Sequence, residues 1–175
     1  MIRGLRAPQR EVSIISSQAD RAPAVLGCVA HGTDCESVLR ELAGHLEAGG
    51  MVKSTYCQAV LDREKSFPTG IPAEPVAVAI PHSDRDHVLE TAVLVAKTER
   101  PIPFRRIDDP DAEVEVRVVF MMAIDSSQGQ LDTITRVMDL IQDPGIIEAV
   151  AASSDPEEIR SIAERAFSGS QTRPV

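Results

Sequence analysis

The apolar positions along the chain change repeatedly between two kinds of spacing. Short runs rich in apolar and β-branched residues are typical of buried strands; they lie at residues 25–30, 76–80, 91–96 and 114–124. Between Leu131 and Ile141, in contrast, apolar residues recur at intervals of 3, 4 and 3. That spacing predicts one apolar face of an amphipathic helix.

Four further helices are predicted from residues that would cap their first turn. A Thr or Asp side chain can accept hydrogen bonds from the free backbone N–H groups at a helix start. Such residues open predicted helices at 34–48, 55–65, 143–152 and 155–167. In the second of these, Thr55 and Gln58 have the spacing of a capping box. Gly49 and Gly50 predict the end of the first.

Strands separated by helices predict an α/β fold in which helices pack on a sheet. A length of 175 residues with 43% apolar content fits a single domain with a sizeable core. We assign this domain to residues 22–167. Because the two ends lack a regular apolar pattern, residues 1–21 are predicted to be a flexible leader and residues 168–175 a flexible tail.

Composition excludes several classes of function. The formal net charge of −9 argues against a duplex DNA-binding protein, which neutralises phosphates with a basic face. No apolar run approaches the roughly 20 residues that span a bilayer, and residues 1–25 lack the apolar segment of a secretion signal. Three cysteines, an odd number, do not form a disulfide framework. We therefore predict a cytoplasmic protein with reduced thiols, which neither binds nucleic acid nor inserts into a membrane.

The spacing of Cys28, His31 and Cys35 invites comparison with a zinc site. A structural zinc ion needs four ligands with paired spacing, and the fourth here would be the distant Cys57 or His45. Buried free cysteines commonly serve as small apolar residues instead. The sequence therefore predicts no metal ion.

Candidate chemistry is concentrated after the predicted strand at 76–80. Pro81 follows this strand directly and cannot donate to a sheet ladder, which places His82 just past the carboxyl end of the strand. Ligands of open α/β sheets bind at that edge. Ser83 and Asp84 are good capping residues, so a helical turn is predicted there, with free N–H groups that would favour an anion.

The residues around this point suit phosphate chemistry. A neutral imidazole is a competent nucleophile at pH 7, and its attack on a phosphoryl group would give a phosphohistidine. Arg63, at the end of its predicted helix, is the obvious cation, and Thr69 offers a hydroxyl and a loop N–H group. The residues alone leave open the alternative that His82 only fills a turn at the end of a strand.

Two motifs extend this reading. R-E-x-x-F-P-T-G-I begins at Arg63, and V-A-I-P-H-S-D contains His82, with a second histidine, His87, after it. Together they resemble the enzyme IIA domain of the phosphoenolpyruvate-dependent sugar phosphotransferase system, in the fructose/mannitol/galactitol class and closest to its galactitol-type members. The similarity extends in element order over residues 34–166.

The resemblance implies a single domain with a mixed β-sheet flanked by helices, and no cofactor. It implies that His82 accepts a phosphoryl group from the phosphocarrier HPr and passes it to a IIB domain, which serves a membrane IIC channel. By the same resemblance Arg63 stabilises the charge on the phosphoryl group. Thr69, Ser83 and His87 are expected to support phosphate binding.

One departure from the family pattern concerns the subtype. Fructose- and mannitol-type members often carry a further histidine where this chain has Gln128 and Gln130, and galactitol-like relatives tolerate Gln there. His87 either supplies the missing donor or is a solvated histidine of a helical turn. The sugar is not determined, because sugar specificity resides in the IIB and IIC partners.

Two other functions stay open at this level. A domain of this kind can be phosphorylated and then regulate other proteins by binding them, without feeding a transporter. It can also persist as a degenerate binding protein whose histidine is never phosphorylated.

Overall fold

The computed structural model describes residues 23–125 and 127–169, with residues 127–132 and 169 described by their backbone alone. The predicted leader lies outside the described residues. The predicted tail lies outside them except for its first two residues. These belong to the last helix, which extends to Gly169 rather than ending at residue 167.

In the part of the chain that the structure describes, five strands form one mixed sheet, in agreement with the predicted fold class. Its spatial order is β1-β4-β5-β3-β2. β1 runs parallel to β4 and β3 parallel to β5, whereas the β4–β5 and β2–β3 pairs are antiparallel. The strands are β1 (Ala24–Ala30), β2 (Gly70–Ile71), β3 (Ala77–Ala79), β4 (Ala92–Arg105) and β5 (Glu113–Ala123).

Two strands differ from the sequence prediction. β4 continues nine residues beyond the predicted end at residue 96, because polar side chains at 97–100 interrupt the apolar pattern without interrupting the backbone pairing. A register shift between Lys97 and Ile102 accommodates this stretch, after which pairing with β5 resumes. β2 was not predicted, since its two residues stand between prolines and carry no apolar period.

Within the described ranges, five α-helices surround the sheet, each close to its predicted position. They are α1 (Cys35–Ala48), α2 (Tyr56–Ser66), α3 (Ser127–Ile141), α4 (Pro144–Ala152) and α5 (Pro156–Gly169). No helix within the described ranges is both long and apolar enough to cross a bilayer.

The predicted caps are confirmed at three helices. At α1, Asp34 accepts a hydrogen bond from the Ser37 N–H group at 2.8 Å, and the Ser37 hydroxyl accepts from the Asp34 N–H in return. Asp143 accepts from two N–H groups of the first turn of α4. Asp155 accepts from the N–H of Glu157 at 3.0 Å.

The capping box predicted for α2 is wrong. Thr55 already has helical dihedral angles, with φ −81° and ψ −12°, and makes no side-chain cap. Its hydroxyl lies 2.9 Å from Nδ1 of His87, and Gln58 donates to Asp62 at 2.8 Å. Both side chains are therefore engaged in contacts that local sequence spacing does not reveal.

The sheet is buried on both faces, which explains the nearly continuous apolar runs in its strands. Leu94 and Ala96 of β4 point into a core shared with α1 and α2. Val93 and Val95, at the alternate positions, point into a second core shared with α3, α4 and α5. The contact of α5 with β1 is close: a Cβ atom on Gly27 would clash with the α5 backbone at Pro156 and Arg160.

Candidate functional site

His82 lies just past the carboxyl end of β3, as the sequence predicted. After β3 the chain continues beside β5, where the N–H of Met122 donates to the Pro81 carbonyl at 3.0 Å. His82 itself forms a parallel bridge with Met122. The imidazole is thus held at the edge of the sheet where β3 and β5 both end, which is the edge at which α/β sheets bind ligands.

The ring of His82 has a defined orientation. Its Nδ1 atom lies 2.9 Å from the carbonyl oxygen of Ile80. A carbonyl only accepts hydrogen bonds, so Nδ1 carries the proton and donates. In the neutral ring the lone pair is therefore on Nε2.

The surroundings of His82 favour the neutral ring. Burial lowers the pKa of His82 below its ordinary value, and the positive charge of Arg63 lowers it further. The bond to Ile80 and the charge of Asp84 raise this pKa, but their effect is the smaller one. The imidazole is consequently uncharged and nucleophilic at pH 7.

Arg63, in the last turn of α2, provides a positive charge close enough to affect the pKa of His82. Its Nη1 atom lies 3.5 Å from a carboxylate oxygen of Asp84, and its guanidinium carbon is 5.7 Å from the centre of the Phe67 ring. The Nε–H group is buried and has no hydrogen-bond partner among the described residues. A buried donor without a partner is uncommon in proteins, and this one belongs to the residue whose charge lowers the pKa of His82.

Thr69 does not have the donor role predicted from the sequence. Its side chain is buried, and its hydroxyl donates to Oε2 of Glu64 at 2.8 Å. Its backbone N–H donates to Oε1 of the same carboxylate at 2.9 Å. Both donors that were expected to face a phosphoryl group are thus taken up by Glu64.

The segment after His82 also differs from the prediction. The Ser83 hydroxyl donates to the carbonyl of Asp84 at 3.2 Å. The expected helical turn is only a three-residue 3₁₀ helix, Arg85–His87, without a side-chain cap. So short a turn has little helix dipole, and the predicted contribution of its N–H groups to anion binding is not supported.

His87 is attached to the start of α2 by the contact between its Nδ1 atom and the Thr55 hydroxyl. Its backbone carbonyl accepts from the N–H of Lys53 at 2.9 Å. A role of His87 in phosphate binding stays a prediction. The side chains of Gln128 and Gln130, where the chain departs from the family pattern, lie outside the described residues.

The cysteines considered for zinc do not belong to a group of metal-binding side chains among the described residues. Within the described ranges, no three His, Cys, Asp or Glu side chains are grouped so that they could hold a metal ion. Burial raises the pKa of Cys28 and that of Cys35 to about 12, so both are uncharged thiols at pH 7. His31 instead contacts Glu99, with Nδ1 2.9 Å from the carboxylate.

Two residues that sequence reasoning did not single out belong to this region. Glu64 is 7% exposed and holds Thr69. Tyr56 is fully buried and donates from its hydroxyl to the Met122 carbonyl at 2.8 Å. A signal for Glu64 was present in the Arg-Glu pair of the first motif, but its partner is five residues away across a turn.

Comparison with known proteins shows the family to which this chain belongs. The family described as "Phosphoenolpyruvate-dependent sugar phosphotransferase system, EIIA 2" matches residues 27–166. The chain is 32% identical over 117 residues to the galactitol-specific EIIA component of the Escherichia coli (strain K12) phosphotransferase system, covering 67% of this chain and 77% of the relative. It is 28% identical over 130 residues to a nitrogen regulatory protein of Bradyrhizobium diazoefficiens, covering 73% and 80%.

Among solved structures, the enzyme IIA of the mannitol system of Escherichia coli, in complex with phosphorylated enzyme IIB, superposes with a TM-score of 0.62. That match has 25% identity and covers 78% of this chain and 94% of the other.

The chain belongs to the EIIA 2 family of the phosphoenolpyruvate-dependent sugar phosphotransferase system. Within this phosphotransferase family it is of the galactitol/mannitol type. Both the family resemblance and the fold expected from it are thereby confirmed.

Proposed function

We propose that this chain is a phosphoryl relay in sugar uptake, which accepts a phosphoryl group on Nε2 of His82 and passes it to a IIB component. One observation carries the proposal: a neutral imidazole has its Nδ1 proton bound to the Ile80 carbonyl, and the cation Arg63 is near enough to lower the pKa of that ring. This combination supplies both a nucleophile and a donor for the incoming phosphoryl oxygens.

The transfer conserves bonds and charge. The Nε2 lone pair of His82 forms a bond to phosphorus while the bond between phosphorus and the donor's histidine nitrogen breaks, and the donor histidine keeps that electron pair. The Nδ1 proton stays on the ring and its bond to Ile80 remains. The onward step repeats this exchange, with His82 as leaving group and the side chain of a IIB component, commonly a cysteine, as acceptor.

Arg63 stabilises the charge that spreads over the transferred oxygens. The carboxylate of Asp84 lies 3.5 Å from Nη1, a long and exposed ion pair that leaves the guanidinium available to a second anion. The Arg63 side chain is 35% exposed, and we expect its terminal nitrogens to donate to a phosphoryl oxygen. Because such chemistry is mainly positioning and charge stabilisation, no cofactor is required.

The partners proposed follow from the family and its relatives. The donor is HPr, and the acceptor is a IIB component, as the mannitol IIA relative is found with phosphorylated IIB. The IIB component serves a membrane IIC channel for a sugar of the galactitol or fructose/mannitol type. The relay works in the cytoplasm, where these partners meet. Ser83 and His87 are proposed to support phosphate binding, and Thr69 to act through Glu64.

A second function is favoured by one specific observation. The chain is similar over most of its length to a nitrogen regulatory protein. In that case His82 would be phosphorylated in the same way, and the phosphorylated form would act by binding a regulatory partner rather than by donating to IIB.

The proposal is tested by intact-mass analysis after incubation with phosphoenolpyruvate, enzyme I and HPr. We expect one added phosphoryl group that is lost in acid and stable in base, as a phosphohistidine is. His82→Ala should gain none. His45→Ala, which removes an exposed histidine of α1, should gain one at the wild-type rate. A folded wild-type protein that gains no mass would exclude phosphoryl transfer.

The two functions are separated by the next step. Phosphorylated protein is mixed with galactitol-type and mannitol-type IIB components, and loss of its phosphoryl group is followed by mass. Transfer to one of them supports the relay. A phosphorylated protein that transfers to neither favours the regulatory alternative.

A further inference from the structure

We propose that Glu64 is a positioning residue that fixes the His82 imidazole through Thr69 and Ile80. This inference rests on the proposed function of His82 and names a residue on which that function depends. The carboxylate does not touch the reacting atoms. It acts through a continuous series of hydrogen bonds that starts in α2 and ends on the nucleophilic ring.

The first part of the series joins Glu64 to the turn before β2. The carboxylate is buried, and each of its oxygens accepts one hydrogen bond from Thr69, at 2.9 Å from the N–H and 2.8 Å from the hydroxyl. Two bonds to one residue fix both its backbone and its χ1 angle. An apolar side chain in place of Glu64 would leave two buried donors without partners, which is costly.

The second part joins this turn to the nucleophile. The carbonyl of Thr69 accepts from the N–H of Ile80 at 3.4 Å, as an extension of the β2–β3 pairing. The carbonyl of Ile80 in turn accepts from Nδ1 of His82 at 2.9 Å. The peptide that contains the Ile80 carbonyl therefore determines which ring nitrogen holds the proton, and the Thr69 turn holds the residue that supplies it.

A third set of contacts holds the Glu64 end of the series. Arg105, at the end of β4, donates from Nη2 to the backbone carbonyls of Glu64, at 3.3 Å, and Lys65. The end of α2 is thus bonded to the central sheet. Gly70 leaves room for this approach, since a Cβ atom there would lie 2.7 Å from the Arg105 carbonyl oxygen.

This arrangement gives Glu64 a task that an exposed charge could not perform. Burial raises the pKa of Glu64 above its ordinary value, and the bonds from Thr69 and the charge of Arg105 offset this rise only in part. A carboxyl group retained in such a place needs partners that use both of its oxygens. Thr69 provides these partners, and its own carbonyl is bonded to Ile80, which holds the His82 ring.

The test measures the tautomer of His82 in the unphosphorylated protein by ¹⁵N NMR of histidine-labelled samples, beside the initial rate of phosphorylation by phospho-HPr. The wild-type ring is expected to carry its proton on Nδ1. In Glu64→Ala we expect a substantial Nε2–H population and a phosphorylation rate lower by about 10- to 100-fold, because small displacements of a reacting group have effects of that order. Glu64→Gln keeps one acceptor oxygen and can donate to the Thr69 hydroxyl, so it should restore the Nδ1–H form and most of the rate.

Two variants control for general effects. Asp62→Ala removes an exposed carboxylate of the same helix, whose partner is Gln58, and should change neither tautomer nor rate. Ile147→Val loosens the core on the opposite face of the sheet. It should lower thermal stability while leaving the His82 tautomer as in wild type, which separates positioning from stability.

The outcomes decide between clear alternatives. A folded Glu64→Ala protein with the wild-type tautomer and rate would overturn the proposal. If that variant does not fold, Thr69→Val decides, since it removes one of the two bonds to Glu64: an increase of the Nε2–H form supports the proposal, and an unchanged ring contradicts it. The tautomer is read without any phosphoryl donor, so failure of wild-type phosphorylation would refute the proposed function and leave this measurement intact.

Discussion

The hydroxyl of Tyr56 donates to the carbonyl oxygen of Met122 at 2.8 Å, deep inside the protein. Met122 lies in β5, and its N–H donates to the carbonyl of Pro81, the residue before His82. The two polar groups of one β5 residue therefore contact the first residue of α2 and the segment that carries the nucleophile. Because α2 also carries Arg63, Met122 connects the helix of Arg63 and the segment of His82 to the same position in β5.

We expect Tyr56→Phe to lower the free energy of unfolding by about 1–2 kcal/mol, because it removes a buried hydrogen bond without changing the packing of the ring. The midpoint of urea unfolding measures this effect. Gln58→Ala, which removes only an exposed hydrogen bond of the same helix, should have little effect. An unchanged midpoint in Tyr56→Phe would show that the bond to Met122 contributes nothing net to stability.

The pH dependence of His82 follows from its lowered pKa. An unfolded chain protonates this side chain near its ordinary value of 6.5, whereas the folded protein does so at lower pH. Between these values the unfolded state binds more protons, so stability from this group is complete above about pH 6.5 and decreases as the pH falls toward the folded pKa.

Titration of the His82 ring by NMR checks this expectation directly. The midpoint should lie below 6.5, and the acidic limb of the phosphorylation rate should follow it. A midpoint at or above 6.5 would contradict the dominance of burial in setting this pKa.

Replacement of Arg63 should slow the chemistry while preserving the acceptor. We expect Arg63→Ala to reduce the rate of phosphorylation by about 10²–10³, as loss of one preorganised donor does elsewhere. Arg63→Lys should fall between this variant and wild type, because it keeps the charge but loses the planar fork of donors. In Arg63→Ala the pKa of His82 should also rise, since the nearby positive charge lowers it.

A matched control for Arg63 is available on α1. Arg40 forms an exposed ion pair with Glu36, and Arg40→Ala should leave both the rate and the pKa of His82 unchanged. Stopped-flow or quenched-flow phosphorylation by phospho-HPr measures the rates. If Arg63→Ala were as fast as wild type, the guanidinium would have no part in stabilising the transferred group.

The contact between α5 and β1 gives a prediction about stability. We expect Gly27→Ala to destabilise the protein by about 1–3 kcal/mol, because the added methyl group must push the start of α5 away from the sheet. Gly44→Ala is the opposite case, since Gly44 lies on the exposed face of α1 with open space around its Cβ position. This second change should stabilise the protein by up to about 1 kcal/mol through helix propensity. Thermal unfolding measures both effects. Midpoint temperatures that shifted in the same direction for the two variants would contradict this account.

The features that could be predicted from the sequence are those set by neighbouring residues. Asp34, Asp143 and Asp155 begin their helices as predicted, because a cap satisfies N–H groups only two or three residues away. The position of His82 at a strand end was also predictable, since Pro81 ends the ladder locally. For Thr55 the same local reasoning was wrong, because His87, 32 residues later, contacts its hydroxyl.

Residue types near the end of the strand suggested His82 as a candidate nucleophile and Arg63 as its cation, and the family motifs imply the same roles. The charge of Arg63 is near enough to the ring to lower the pKa of His82. The same reasoning also suggested Thr69 as a donor to phosphate. Its hydroxyl and N–H are instead bonded to Glu64, which the spacing of residue types does not show.

By itself, then, the sequence determined the approximate positions of the helices and of every described strand except β2. It also determined the caps that begin α1, α4 and α5 and the histidine at the end of a strand. These depend on contacts within a few residues or on motifs shared by a family. Only the tertiary structure decided that Nε2 of His82 is the free nitrogen, that Thr69 faces Glu64 and that β4 continues through its polar stretch. Each of these depends on which backbone carbonyl, carboxylate or strand lies opposite, and folding brings those partners together from distant parts of the chain.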